Sequence, residues 1–204
     1  LSPADFNRAR RILMRRDPRL GEVIKRVGTR RPTPVEHPDP YHALVRAILS
    51  QQLSSKAADT IHGRVVALVG GLPSLSAASL LAVDPTHLRA AGVSHPKISY
   101  LRDLAQQVED ARLDLHALQH LPDEEVIAAI TAVKGLGRWS AEMYLMFRLR
   151  RPDVFPVGDL GIVKGVQKLF GMKRRPKPRT MERLAEPWRP YRSVAAWYLW
   201  RITE

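Results

Sequence analysis

No stretch of this 204-residue sequence alternates apolar and polar residues convincingly with a period of two, so half-buried strands have nothing to build on. Apolar residues recur instead every three or four positions, in runs separated by short loops of Gly, Pro and Ser. In Tyr41 to Leu49 they are Ala43, Leu44, Ala47, Ile48 and Leu49, and in Lys97 to Ala111 they are Ile98, Leu101, Leu104, Ala105 and Val108. This patterning predicts an all-α fold. Leu1 to Val27 reads as helix broken by Pro18, and Lys56 to Leu68 as a helix opened at Ser54-Ser55. Two short helices follow, Ser74 to Leu81 with Ser74 or Ser76 as cap and Asp84 to Ala91 with Pro85 in its first turn. Beyond Lys97 to Ala111 come Leu113 to Leu118, Asp123 to Thr131, Trp139 to Leu149 and Leu160 to Phe170. A last helix runs from Pro190 or Tyr191 to Arg201, with Val194, Trp197, Tyr198 and Trp200. Gly28 to Pro40 is loop, since Pro32, Pro34, Pro38 and Pro40 forbid a regular element. Lys173 to Arg179 is a basic, proline-broken connector.

Composition narrows the function. A hydrophobic content of 45% suffices for one sizeable core or two small lobes. No apolar run is long enough to span a bilayer. The chain opens at Leu1 without a methionine, so a short preceding piece is expected. Cysteine is absent, which excludes disulfides, thiol nucleophiles and thiolate metal sites. The seven histidines are scattered, and none has metal-ligand spacing with a partner acid. A net charge of +13 and a pI near 10.7 favour a polyanionic partner.

The chemistry concentrates between Thr131 and Gly171. Gly135 and Gly137 flank Leu136 in a tight turn between two helical runs. Two glycines so placed permit positive φ and leave backbone N–H groups uncovered. Those amides open the helix beginning near Trp139, where a phosphate would be attracted. The preceding helix carries Asp123, Glu124 and Glu125 in its first turn, as the helix dipole prefers. A single carboxylate, Asp159, then stands at the mouth of the next helix, behind Pro156-Val157-Gly158. As an N-cap it suits that position, and the positive end of a helix favours a carboxylate.

Hairpin, Pro156-Val157-Gly158-Asp159 loop and helix at this spacing resemble the helix-hairpin-helix, Gly-Pro-rich loop, Asp signature of the base-excision DNA glycosylase superfamily, and within it the 3-methyladenine DNA glycosylase II branch. The resemblance runs from about Asp39 to Arg201. It implies a single helix-hairpin-helix glycosylase unit over residues 1–204, of two helical lobes flanking a DNA-binding cleft. A central lobe would span Asp39 to Arg150 with the hairpin, and the N-terminal helices of residues 1–38 would join residues 151–204 in the second. The length implies that the extra N-terminal domain of some relatives is missing.

The resemblance also implies roles. Lys134, Gly135, Leu136, Gly137 and Arg138 would grip a DNA phosphate, a contact that carries no sequence information. The carbonyls of Thr131, Val133 and Leu136 would coordinate a monovalent cation, sodium or potassium. No cofactor is otherwise required, and no iron–sulfur cluster can form without cysteine. Gln52, with Leu53 beside it, would be pushed into the duplex where a base has left it. Trp139 and Trp197 would form an aromatic slot, with Tyr144 and Trp188 as further walls and Met143 where the family pattern expects an aromatic. Stacked aromatics favour a cationic alkylated purine by ~0.5–2 kcal/mol per contact. Asp159 would stabilise the charge that develops at the sugar carbon C1′, while Asp153 caps or fixes its loop. An alkylated purine already carries positive charge, so no second acid is needed. Bifunctional members carry a Schiff-base lysine two residues after the second hairpin glycine; here that position is Trp139. A monofunctional glycosylase of alkylated purines in base excision repair is therefore expected, monomeric, acting on damaged double-stranded DNA and not at a membrane, cytoplasmic and nucleoid-associated in a bacterium or nuclear in a eukaryote. Two other readings stand beside it: a helix-hairpin-helix DNA-binding module without enzymatic activity, and a glycosylase for a deaminated or mispaired purine. The module would have no use for Asp159 or for Trp197.

Overall fold

The computed structural model describes residues 2–30, 32 and 39–203. The proline-rich loop expected between Gly28 and Pro40 lies largely outside the described residues. Among the described residues every regular element is helical. Chain packing separates two compact units, Leu1–Pro34 with Leu145–Glu204, and Val35–Tyr144.

The first unit begins with α1 (Pro3–Arg16) and α2 (Pro18–Val27). Ser2 and Asp5 form a reciprocal capping box on α1, and Asp17 caps α2 through the amides of Arg19 and Leu20. The other half of the unit holds α10 (Leu160–Leu169), α11 (Pro178–Ala185) and α12 (Arg192–Thr203). α12 is buried nearly all round, from Ser193 to Leu199 and again at Ile202, as a central helix should be. α10 lies against it unusually closely. A Cβ on Gly165 would stand 2.6 Å from the Leu199 carbonyl oxygen, and one on Gly161 would stand 2.6 Å from Trp200 Cδ1. Those two glycines, one helical turn apart, cost helix propensity and permit the contact. α12 begins at Arg192, later than its sequence pattern predicts, because the incoming loop supplies its cap. Asp153 Oδ1 accepts from the Arg192 amide and the Pro152 carbonyl from the Ser193 amide. α11 is not signalled by a wide apolar stripe; only Met181 and Ala185 are buried on it, one turn apart.

The second unit contains α3 (Pro40–Ser50), α4 (Ser55–Leu68), α5 (Ala77–Ala82), α6 (Pro85–Ala90), α7 (His95–Glu109), α8 (Asp123–Thr131) and α9 (Arg138–Met143). Its starts follow local chemistry. Asp39, Ser54, Ser76 and Asp84 each accept backbone amides as N-caps. The core gathers Leu44, Val45, Ile48, Val65, Leu80, Leu88, Leu101, Leu104, Val126 and Ile130, all essentially excluded from solvent. The run expected as one helix from Trp139 to Leu149 changes character part-way: α9 passes into a π-helical turn over Tyr144–Arg148. Such a turn carries one extra residue and rotates everything after it.

Candidate functional site

Asp159 is built into the start of α10. Its side chain accepts the Ile162 amide at 2.8 Å as an N-cap, and the same Oδ1 accepts the indole N–H of Trp200 at 2.8 Å. The carboxylate is buried. The Trp200 ring stacks on Phe147, with centroids 5.8 Å apart and planes 24° apart, and it covers Gly161. So the carboxylate is oriented from two sides, by its own helix and by an aromatic 41 residues downstream. The loop leading to it is fixed as well. Asp153 pairs with Arg189 at 2.9 Å and with Arg192 at 2.8 Å, and the Ser193 hydroxyl joins the Val154 amide to the Arg151 carbonyl. Asp153 thus fixes its loop, as its position predicts.

The expected aromatic residues occupy different environments. Trp197 is buried, edge-on to Phe6 and Tyr198, with the Arg201 guanidinium 4.9 Å from its ring centre. Trp188 is fully enclosed, against Phe155 and Phe170, and donates its indole N–H to the buried Asp17. The tryptophan beside Asp159 is Trp200. Its sequence position, three residues after Trp197 on one helix, reads only as part of an apolar face. The glycines of α10 were the available signal, since a helix carrying Gly161 and Gly165 one turn apart is shaped for close approach.

The hairpin between α8 and α9 is assembled from backbone. Gly135 has φ +78°, and a Cβ there would land on the ring of Tyr100, so the residue must be glycine for two independent reasons. The Lys134 amide donates to Asp103 Oδ2 at 2.9 Å, with Lys134 Nζ 4.0 Å from the same carboxylate. Gln107 Nε2 links that oxygen to the Ala132 carbonyl. The Lys134 and Leu136 amides are therefore already engaged, the latter by the Val133 carbonyl at 3.1 Å, and the amides left to a ligand are those that open α9. α9 has Gly137 as its N-cap residue, with no side-chain cap, and open space surrounds the place of a Gly137 Cβ. Arg138, expected to face DNA, holds Glu124 with two nitrogens at 2.7 and 3.1 Å and Glu142 at 3.2 Å. It braces α8 against α9. Glu124 and Arg138 shift in the directions a pair requires, with the carboxyl lowered and the guanidinium raised, chiefly by their mutual hydrogen bonds. Leu136 and Val133 are buried, and Trp139 stands half exposed at 50%. Met143 is half-buried and Tyr144 is buried.

Gln52 and Leu53 sit on the turn between α3 and α4. Gln52 is exposed and adopts φ +57°, an uncommon left-handed conformation for a residue with a side chain. Leu53 is 40% exposed. The neighbouring Gln51 turns inward, and its amide donates to the Gly135 carbonyl at 2.8 Å.

Among the described residues no cluster of His, Cys, Asp or Glu is suited to hold a metal ion, and no helix is long and apolar enough to cross a membrane.

Known proteins are similar to this chain in sequence and fold. The model of the HhH-GPD superfamily base excision DNA repair proteins matches residues 45–190. A DNA-3-methyladenine glycosylase 1 of Schizosaccharomyces pombe is 35% identical over 89% of this chain and 81% of its own. Among solved structures, a DNA-3-methyladenine glycosidase from Bacillus halodurans is 40% identical with a TM-score of 0.83, covering 93% of this chain and 86% of the other. The S. pombe 3-methyladenine DNA glycosylase in complex with abasic DNA has a TM-score of 0.80 at 32% identity, covering 96% of both chains.

Proposed function

Since the chain belongs to the HhH-GPD superfamily of base excision DNA repair proteins, we propose that it is a monofunctional DNA glycosylase that releases alkylated purines, of the 3-methyladenine type, from duplex DNA. The arrangement that carries this reading is Asp159, a carboxylate at a helix N-terminus whose Oδ1 is fixed by the Ile162 amide and the Trp200 indole.

The target bond lies inside a stacked duplex, so the nucleotide must rotate out before it can react. Exposed Gln52 and Leu53 fill the space it leaves, and the amides opening α9 hold a backbone phosphate. As the C1′–N bond breaks, its electron pair goes to the base, which departs neutral because alkylation had made it cationic. The sugar is left with oxocarbenium-like charge at C1′. Asp159 stabilises that charge electrostatically. Water then attacks C1′, with Asp159 orienting it and accepting its proton on the way to solvent. The oxygen held by two N–H donors is the anchored one, so the carboxylate does not have to reorganise while the charge develops. Trp200 and Phe147, stacked beside it, give an electron-rich wall for a cationic base; exposed Trp139 offers another aromatic surface near the hairpin.

No amine is placed for Schiff-base chemistry at the hairpin. The position after the turn is Trp139, and Lys134 lies next to Asp103. The product is an intact abasic site, and borohydride should trap no covalent adduct.

A monovalent cation at the hairpin is part of this proposal. With the Lys134 amide given to Asp103, no turn amide bonds the Thr131 carbonyl among the described residues, while Val133 accepts only that of Leu136. The carbonyls of Thr131, Val133 and Leu136 would hold the ion, a neutral oxygen set suited to a single charge. It would add positive potential beneath a bound phosphate.

Substituting Asp159→Asn tests the proposal. Base release from methylated duplex DNA, followed by mass spectrometry, should fall by about 10²-fold or more, while affinity for abasic duplex persists. Release at the wild-type rate, or none from the wild type, would refute it in favour of a DNA-binding module.

A further inference from the structure

We propose that one face of α7 sets the register between the intercalating turn and the phosphate-gripping hairpin, and that Lys97 is the positioning residue that fixes the turn. This rests on the glycosylase reading above.

The residues are Lys97, Tyr100, Asp103 and Gln107, spaced so that they share a face of α7. Ile98, Leu101, Leu104 and Ala105 point into the core instead. Three of the four hold the hairpin. The Tyr100 ring occupies the space a Gly135 side chain would need, Asp103 accepts the Lys134 amide, and Gln107 ties Asp103 to the Ala132 carbonyl. The fourth reaches the other loop. Lys97 Nζ donates to the carbonyls of Leu49 and Gln51, each at 2.7 Å. These are the closing carbonyls of α3, where helix geometry leaves acceptors without partners and an ammonium is favoured. Burial against them lowers the lysine pKa below its usual value.

Gln51 closes the circuit by donating to the Gly135 carbonyl at 2.8 Å. The residue after it, Gln52, is held at φ +57° with its side chain exposed. A left-handed residue with a side chain persists only where its surroundings over-determine it. Here they do so from both sides: the Gln51 carbonyl is held by Lys97, and the Leu53 amide by the Ser50 carbonyl at 3.2 Å. Both loops thus contain one left-handed residue, Gln52 and Gly135, and both are referenced to a single rigid helix. Intercalation and phosphate binding must act on one strand at a fixed separation, and small misplacements of positioning groups reduce rates steeply. A common helix supplies that separation.

Lys97→Met keeps the aliphatic stem and removes the donors. Two measurements read it. The first uses 2-aminopurine beside an abasic analogue in duplex DNA, whose fluorescence changes when the turn inserts. Here Lys97→Met should reduce the amplitude at saturating protein, while binding weakens little. The second is the ratio of single-turnover base release from duplex to that from single-stranded DNA carrying the same lesion. That ratio should fall about tenfold, because only the duplex must be invaded. Lys97→Arg should restore most of both, and Gln51→Leu should reproduce part of the loss. Equal slowing on both substrates, unchanged fluorescence amplitude, or a loss that tracks only a lowered melting temperature would overturn the proposal. Absence of base release by the wild type on either substrate would instead overturn the glycosylase reading, and the fluorescence measurement would still decide the role of Lys97.

Discussion

The hairpin and the carboxylate site are made from different materials. In the hairpin the acting groups are backbone amides, shaped by Gly135 and Gly137 and held by neighbours in the same unit. At Asp159 the acting group is one side-chain carboxylate, oriented by a helix start and by Trp200. The first suits a task in which every phosphate is equivalent. The second suits a task in which one oxygen must meet one carbon. Damage to the hairpin should therefore weaken DNA binding and spare the chemical step. Damage around Asp159 should do the reverse.

The largest effect is expected at Gly135. Gly135→Ala must remove a Cβ from the Tyr100 ring and accept φ +78°. The combined cost is roughly 3 kcal/mol, visible as a lower urea midpoint, with loss of abasic-DNA affinity. Gly137→Ala is the control two residues away. Its Cβ meets nothing within 4 Å and its φ is −101°, so stability should change by less than about 0.5 kcal/mol. Affinity should still fall about tenfold, since a methyl group would project where a phosphate approaches the amides. Equal behaviour of the two variants would break the account of the hairpin as a backbone device.

Next comes the wall behind Asp159. Gly161→Ala puts a Cβ 2.6 Å from Trp200 Cδ1 and 3.1 Å from Asp159 Oδ1, so the indole has to move. Trp200→Phe keeps a ring there but removes the donor to Oδ1. Single-turnover base release should fall about tenfold in Trp200→Phe, a loss appropriate to a hydrogen bond to a charged group. Gly161→Ala should cost at least as much. Abasic-duplex affinity should stay within about twofold of wild type for both. A matching loss of affinity would show that Trp200 serves binding as much as chemistry.

The same contrast explains what could be read from the residues. The hairpin and the Asp159 N-cap are local in sequence, so Gly135, Gly137 and Asp159 announce themselves through turn and capping chemistry. The all-helical fold was legible for a similar reason, because three- and four-residue spacing recurs in nearly every element. Tertiary partners were not. Trp200 approaches Asp159 only because Gly161 and Gly165 let α12 lie close. Trp197, one turn earlier on that helix, faces Phe6 and Tyr198 instead. Spacing within a helix gives the faces, but not which face meets which neighbour. Lys97, Tyr100, Asp103 and Gln107 lay hidden likewise, since polar residues flanking an apolar stripe look like a solvated surface. The partners of Arg138 were equally hidden, since Glu124 lies 14 residues away and Glu142 one turn on.

The smallest effect concerns that brace. The pairing of Glu124 with Arg138 lowers the carboxyl pKa, mainly through the Arg138 hydrogen bonds. A carboxyl whose folded pKa is depressed adds stability above its unfolded value and loses it as pH falls through the folded one. The brace should therefore be complete at neutral pH and fade below the ordinary glutamate range, near pH 4. Both partners are well exposed, with 73% and 57% of their side-chain surface accessible, so screening limits the gain to about 0.5 kcal/mol. Urea midpoints measured against pH should show wild type exceeding Glu124→Gln at neutral pH, the gap closing in acid and shrinking in high salt. A gap that survives both would mean that Glu124 acts through packing on α8 and not through its charge. The brace between α8 and α9 would then be a packing device, and the charges nearest the turn would be those of Lys134 and Asp103.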